Sequence, residues 1–168
     1  RSIALDLKSE AGRDALKNLV READVVVENF RHGVMDKLDL SYETLRAENP
    51  KLVYACLRGF GDARTGTSEY IDWPAFDVVA QAMGGIMSVT GPHEAAPTKV
   101  GPGICNIPPG MFMAFGILAP VNHAPNSGQG QFDHVSMADG VFAVSVRMVY
   151  SHFNPHNTSR SVCNTHTY

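Results

Sequence analysis

Three β-prone runs alternate with capped helical segments across the first 58 residues, and this pattern restricts the fold more than any other feature. Ser2–Leu7 (SIALDL) alternates in polarity and reads as a strand. Ser9 can cap a helix to about Arg21, with Ala15, Leu16, Leu19 and Val20 on one face. Val25–Val27 reads as a short apolar strand, and after Gly33 a helical turn covers Met35–Leu38. Ser41 caps a second short helix that ends near Pro50, and Leu52–Leu57 (LVYACL) is the third strand. Apolar strands joined through helices predict an α/β fold, a parallel sheet with helices on both faces. Such sheets bind ligands beyond the carboxyl ends of their strands. That rule places Leu7-Lys8, Asn29-Phe30-Arg31 and Arg58-Gly59-Phe60 on one rim.

Further along, Gly59–Pro74 is a long polar connection of the kind used for lids and binding loops, with Arg64 unassigned inside it. Asp77–Met83 reads as a helix stopped by Gly84-Gly85, and Ile86–Val89 as a short strand. A Gly/Pro-rich loop then leads into Lys99–Ala119 (KVGPGICNIPPGMFMAFGILA). Pro108 and Pro109 suit a first helical turn, and Met111–Leu118 is apolar or small all round, which predicts a helix buried on every side. Asn106 is the lone polar side chain at its mouth. It reads either as a helix cap or as a group for anionic chemistry beside free N–H groups. Asn126–Gly130 reads as a turn and Gln131–Val135 as a strand. Ser136–Asp139 has capping-box spacing and opens a helix to about Tyr150, after which the chain turns polar.

Composition narrows the function classes. With 168 residues, 44% of them hydrophobic, the chain can build one core, and a net charge of −3 argues against nucleic acid or a polybasic membrane surface as partner. No apolar run approaches the roughly 20 residues of a membrane helix, and no signal peptide is visible at Arg1-Ser2-Ile3. Three widely spaced cysteines, Cys56, Cys105 and Cys163, suit reduced thiols in the cytoplasm. Lys8, Arg31, Lys37 and Arg58 lie at or near strand ends, where cations can hold phosphates, although each taken singly also fits solvated surface. Arg58-Gly59-Phe60-Gly61 lacks the later glycine of a dinucleotide fingerprint, and neither a P-loop nor a G-x-S-x-G elbow occurs. His152, His156, Cys163 and His166 have zinc-like arithmetic, but Pro155 breaks the helix that would align them, so no metal site is expected.

Taken in order, RSIALDLKSEAGRDAL, ADVVVENFRHGVMDKLDLSYETLRAENPKLVYACLRGFG, FDVVAQAMGGIMSVTG, KVGPGICNIPPGMFMAFGILA and SGQGQFDHVSMADGVFA resemble the family III CoA-transferases (the CaiB/BaiF family) over Arg1 to Ala143. The resemblance implies a Rossmann-like large domain over residues 1–150, lacking the family's first strand and second domain, and an irregular tail over 151–168. It also implies an interlocked homodimer. The implied substrates are an acyl-CoA and a carboxylic acid, with coenzyme A carried as a thioester and no prosthetic group. Lys8, Asn29, Phe30, Arg31 and Lys37 fall at the implied CoA-binding positions. Pro74, Ala75 and Phe76 fall where the family wraps pantetheine, and Asp77 at an acidic position near the nucleophile.

The nucleophile of that family is an Asp carboxylate that attacks the thioester, and its position here is Asn106. An amide is nearly the same shape but cannot form an acyl anhydride. That leaves open an inactive form, an Asp read as Asn, or a silent CoA-binding homologue. The same fold hosts acyl-CoA racemases, whose His would lie immediately before Asp77, where this chain has Phe76. Pro120, the Asp133-His134 pair and the tail depart from the family pattern.

Overall fold

The computed structural model describes residues 1–92 and 96–153. The described residues form two compact units, one from residues 1–58 and 113–134, the other from 59–92, 96–112 and 135–153. The zinc arithmetic of the tail falls on the His152 side chain and on residues 156, 163 and 166, all outside the described residues.

In the first unit, α1 (Glu10–Val20), β1 (Val25–Glu28), α2 (Val34–Lys37), α3 (Tyr42–Glu48) and β2 (Val53–Arg58) follow in the expected order. Ser9 Oγ accepts from Gly12 N and Ser41 Oγ from Thr44 N, each cap contributing about 1 kcal/mol to its helix. β1 and β2 are parallel, with Val25 opposite Val53 and Glu28 opposite Cys56, and β3 (Phe132–Ser136) completes the order β1-β2-β3. Val20, Met35, Leu40, Leu45, Leu52, Tyr54 and Cys56 form the core.

Four expectations in this unit need correction. Ser2–Asp6 is not a strand: no ladder receives it, Ile3 is exposed, and the end of the run serves the next helix instead. Asp6 O accepts from both Ser9 N and Ser9 Oγ, which turns the chain into α1. β1 is less covered than an apolar strand between two helical layers would be, since Val27 is 56% exposed. α5 (Ile107–Ser127) is not buried all round: Pro109, Met113, Pro120 and Ala124 make one buried stripe. Ile107, Met111, Phe115 and Leu118, at the same spacing on another face, are exposed. The helix also continues through Pro120 and Pro125 to Ser127, so the expected turn at Asn126 begins two residues later, at Gly128 with φ 72°.

The second unit holds α4 (Asp77–Met83), the first turns of α5, α6 (Met137–Val144) and α7 (Val146–Phe153). Its core is Ala80, Cys105, Met137 and Val141, with Ala75, Ile86 and Ile104 against it. Ile86–Val89 is a 3₁₀ turn rather than a strand. Gly85 enters at φ 79°, and its carbonyl accepts from both Ser88 N and Ser88 Oγ. Ser136 caps α6 as its spacing predicts, donating its hydroxyl to Asp139 Oδ2 while accepting from Asp139 N. The helix expected to run unbroken from there to Tyr150 breaks at Ser145 and resumes as α7 to Phe153.

Candidate functional site

Residue 106 sits at the start of α5, and its surroundings explain why its side chain is available. A capping side chain takes its hydrogen bond from the second or third N–H of the helix. Those two positions are Pro108 and Pro109, which have none. The two remaining donors of the first turn are used: Ile107 N donates to Gly103 O (2.9 Å) and Gly110 N to Asn106 O (3.2 Å). The Asn106 carboxamide is therefore not a cap; it is exposed and makes no hydrogen bond among the described residues. The expectation of free N–H groups for an anion at this helix mouth is corrected by the same facts, since positions 107–110 have none left to give.

Asp77, the first residue of α4, anchors the loop that carries Asn106. Its Oδ1 accepts from Cys105 N (2.9 Å), and its Oδ2 accepts from Gln81 Nε2 (2.7 Å) with Lys99 Nζ at 3.4 Å. Asp77 and Gln81 are four residues apart and share one helix face. Gln81 is fully buried, and its Oε1 accepts from Val100 N (2.8 Å) while Nε2 also reaches Val100 O (3.4 Å). Lys99 Nζ donates to the carbonyls of Val100 and Gly101. A Cβ at Gly103 would lie 3.4 Å from Asn106 Nδ2 and 3.7 Å from Asp77 Oδ1, so glycine lets both polar side chains flank the same point of backbone. Cys105 beside them is buried, and burial followed by the Asp77 charge pushes its thiol up to about 11. It stays a neutral thiol at physiological pH, so it does not compete as a nucleophile.

Phe76 and Pro74 are exposed, and Ala75 packs on the core of this unit. The preceding loop is not slack: Asp62 is buried and accepts at Oδ1 from the Arg64 backbone N–H, while its carbonyl accepts from Thr65. Phe60, Tyr70 and Trp73 pack in series, the first pair tilted at 5.9 Å and the second edge to face at 4.9 Å.

The predicted rim lies in the first unit. Asn29, Phe30 and Arg31 follow β1 directly, and all three are exposed, as are Lys8 before α1 and Lys37 at the end of α2. No hydrogen bond among the described residues ties the Lys8 or Lys37 side chain to the Asn29–Arg31 segment. Arg58 is the correction. It is not a solvated rim cation but is 4% exposed and paired through Nη1 and Nη2 with Glu28, itself 6% exposed. Arg58 Nη1 also donates to Phe30 O (2.7 Å), Phe30 N donates to Glu28 Oε2 (2.8 Å), and Tyr54 OH donates to Glu28 Oε1 (3.2 Å). Phe30 is thus clipped at both its backbone N–H and its carbonyl, which holds the Asn29–Arg31 turn over the strand ends.

Sequence reasoning missed Gln81 and Lys99. The available signal was Asp-x-x-x-Gln at helical spacing on α4, which sequence alone cannot tell from a solvated polar face.

An α/β protein with a clipped turn at its parallel strand ends and an uncapped polar residue before a long apolar helix invites comparison with known proteins. The profile of CoA-transferase family III matches residues 1–168, and the chain belongs to that family. It is 47% identical over 152 residues to a succinyl-CoA:mesaconate CoA-transferase of Haloarcula hispanica, a match covering 90% of this chain and 38% of that protein. It is 41% identical over 141 residues to a formyl-CoA:oxalate CoA-transferase of Streptomyces avermitilis, covering 84% of this chain and 33% of that one. Among solved structures, a CAIB/BAIF family protein from Brucella suis aligns with a TM-score of 0.89 at 34% identity, over 99% of this chain and 43% of that chain. The chain therefore spans well under half the length of these relatives. No helix among the described residues is long and apolar enough to cross a membrane.

Proposed function

We propose that the protein of this lineage moves CoA between carboxylic acids, with residue 106 as the position of the nucleophile. The observation that carries the reading is the uncapped, exposed side chain of residue 106 on a loop held by Asp77, in a chain of this family. With Asp at 106, the carboxylate attacks the thioester carbonyl, the C–S bond breaks, and CoA leaves as thiolate, giving an acyl-aspartyl anhydride. The thiolate then attacks the aspartyl carbonyl, which frees the donor acid and leaves CoA on the aspartate. The acceptor acid returns the sequence in reverse, so no electrons change hands and no metal or prosthetic group is required. Lys8, Asn29, Phe30, Arg31 and Lys37 bind CoA, Pro74, Ala75 and Phe76 line the pantetheine, and Asp77 fixes the nucleophile's loop. Donors for the tetrahedral oxyanion come from outside the first turn of α5, whose N–H groups are used or missing.

With Asn106 the same chain binds CoA esters and does not transfer, because a neutral amide forms no anhydride. The assay compares the Asn106 chain with Asn106→Asp, each expressed with whatever sequence flanks it in its gene. Succinyl-CoA with mesaconate and formyl-CoA with oxalate open the panel, since the relatives act on these pairs. Transfer by the Asp form alone supports the reading; equal transfer by both removes residue 106 from the nucleophile's role. α-Proton exchange without transfer makes the protein a racemase, which Phe76 before Asp77 disfavours. Thioester binding without chemistry in either form makes it a silent homologue. The mass of the peptide containing residue 106 settles its identity, Asp being about one dalton heavier.

A further inference from the structure

Gln81 is a fully buried amide of the second unit with a partner at each end. An amide on a buried helix face is costly unless both its ends are bonded, and an apolar residue would fill the same space without that requirement. Here both ends are bonded, two contacts reaching Val100 of the loop that ends at residue 106 and one reaching Asp77 on the same helix, which itself holds that loop. Oε1 takes the Val100 N–H at 2.8 Å, while Nε2 gives to Asp77 Oδ2 at 2.7 Å and reaches Val100 O at 3.4 Å. Asp77 in turn holds the Cys105 N–H at 2.9 Å with its other oxygen. The loop is thus held at Val100 and at Cys105, the second hold being one residue before 106, and one helix face supplies both. Lys99 Nζ, 3.4 Å from Asp77 Oδ2, balances the carboxylate.

We propose that Gln81 is a positioning residue for the reacting side chain: it aligns Asp77 and fixes the 100–105 loop so that residue 106 is presented at one angle to the thioester. It touches neither substrate nor the reacting atoms. This rests on the reading of residue 106 as the nucleophile's position. A nucleophile displaced by about 1 Å loses about 10²-fold in rate, whereas the exposed binding residues of the first unit are untouched. The expected signature is therefore a loss in kcat with KM for the acyl-CoA preserved.

The test places Gln81→Met and Gln81→Glu in the Asn106→Asp form. Gln81→Met is expected to lower kcat by about 10²-fold with KM held within about twofold. Gln81→Glu keeps the shape and the acceptor for Val100 N–H but can donate to Asp77 only when protonated. Asp77, Lys99 and Cys105 are the titratable groups facing it. Its transfer rate is expected to be low at about pH 8 and to recover toward about pH 6, relative to the Gln81 form measured at the same pH. Undiminished kcat in both variants, or a rise in KM with kcat unchanged, overturns the proposal. If Gln81→Met does not fold, the pH profile of Gln81→Glu decides alone. If the Asn106→Asp form itself transfers nothing, the functional reading fails while the positioning claim remains open to amide exchange on the Asn106 chain. There Gln81→Glu is expected to speed exchange at Cys105 while Val100, whose acceptor it keeps, exchanges no faster, and an unchanged rate at Cys105 refutes it.

Discussion

Removing the Arg58 guanidinium by Arg58→Leu would leave Glu28 as an unpaired carboxylate at the end of the sheet. Both side chains are more than nine-tenths buried, and Arg58 meets both carboxylate oxygens. Breaking a buried pair on one side costs about 3–5 kcal/mol. Glu28 would keep two donors, the Phe30 N–H at 2.8 Å and Tyr54 OH at 3.2 Å, which places the loss near the low end, about 3 kcal/mol. For a chain of this size that is about 6–12 °C in Tm. Urea unfolding followed by far-UV circular dichroism would measure it in Arg58→Leu, Glu28→Leu and the double variant. The double variant should cost less than the two single losses added together, a coupling of about 2 kcal/mol in the cycle. The same substitution frees Phe30 O, so binding of an acyl-CoA should weaken as well. A cost for Arg58→Leu below about 1 kcal/mol, or single losses that simply add, would refute the view that this pair locks the Asn29–Arg31 turn.

Two further outcomes follow from close contacts in the second unit. A Cβ at Gly140 on α6 would come within 2.3 Å of Pro109 Cγ in the first turn of α5, so Gly140→Ala should cost about 1–3 kcal/mol in thermal or urea unfolding. An unchanged stability would mean that the two helices do not approach there. The Cys105 thiol, raised to about 11 by burial and then by Asp77, favours the fold while neutral; that contribution is present below its ordinary value and fades as pH rises from about 9 to about 11. Alkylation mapped to Cys105 by peptide mass should stay slow at about pH 9 in the native chain, and rapid labelling would contradict the burial.

What could be read from sequence was local. Ser9, Ser41 and Ser136 each announced a helix because a cap needs only its own next three residues, and each does bond there. Strands carry no such self-contained signal. SIALDL has the alternation of a strand but no ladder to join, and IMSV has β-branched ends yet folds into a 3₁₀ turn behind Gly85. Charge was equally ambiguous: Arg58 at a strand end looks like a phosphate-binding cation, and only the folded chain shows it paired with Glu28. The apolar circumference of α5 predicted burial on all sides because sequence reports preference for burial, whereas exposure depends on which surfaces the rest of the chain brings. Asn106 stood out in the sequence as the lone polar side chain before an apolar helix, but its freedom from capping emerged only once both prolines were seen at the second and third helical places.

Those two prolines have a consequence for how this lineage can change. At an ordinary helix start, the capping residue is under thermodynamic constraint, and any exchange there trades chemistry against folding. Pro108 and Pro109 remove that trade, since no hydrogen bond of the helix depends on the side chain before them. Asn and Asp can therefore replace one another at 106 with the scaffold's bonds intact. On the proposed reading of residue 106 as the nucleophile's position, reactivity becomes a setting that a single nucleotide change can switch, leaving the helix bonds around it the same.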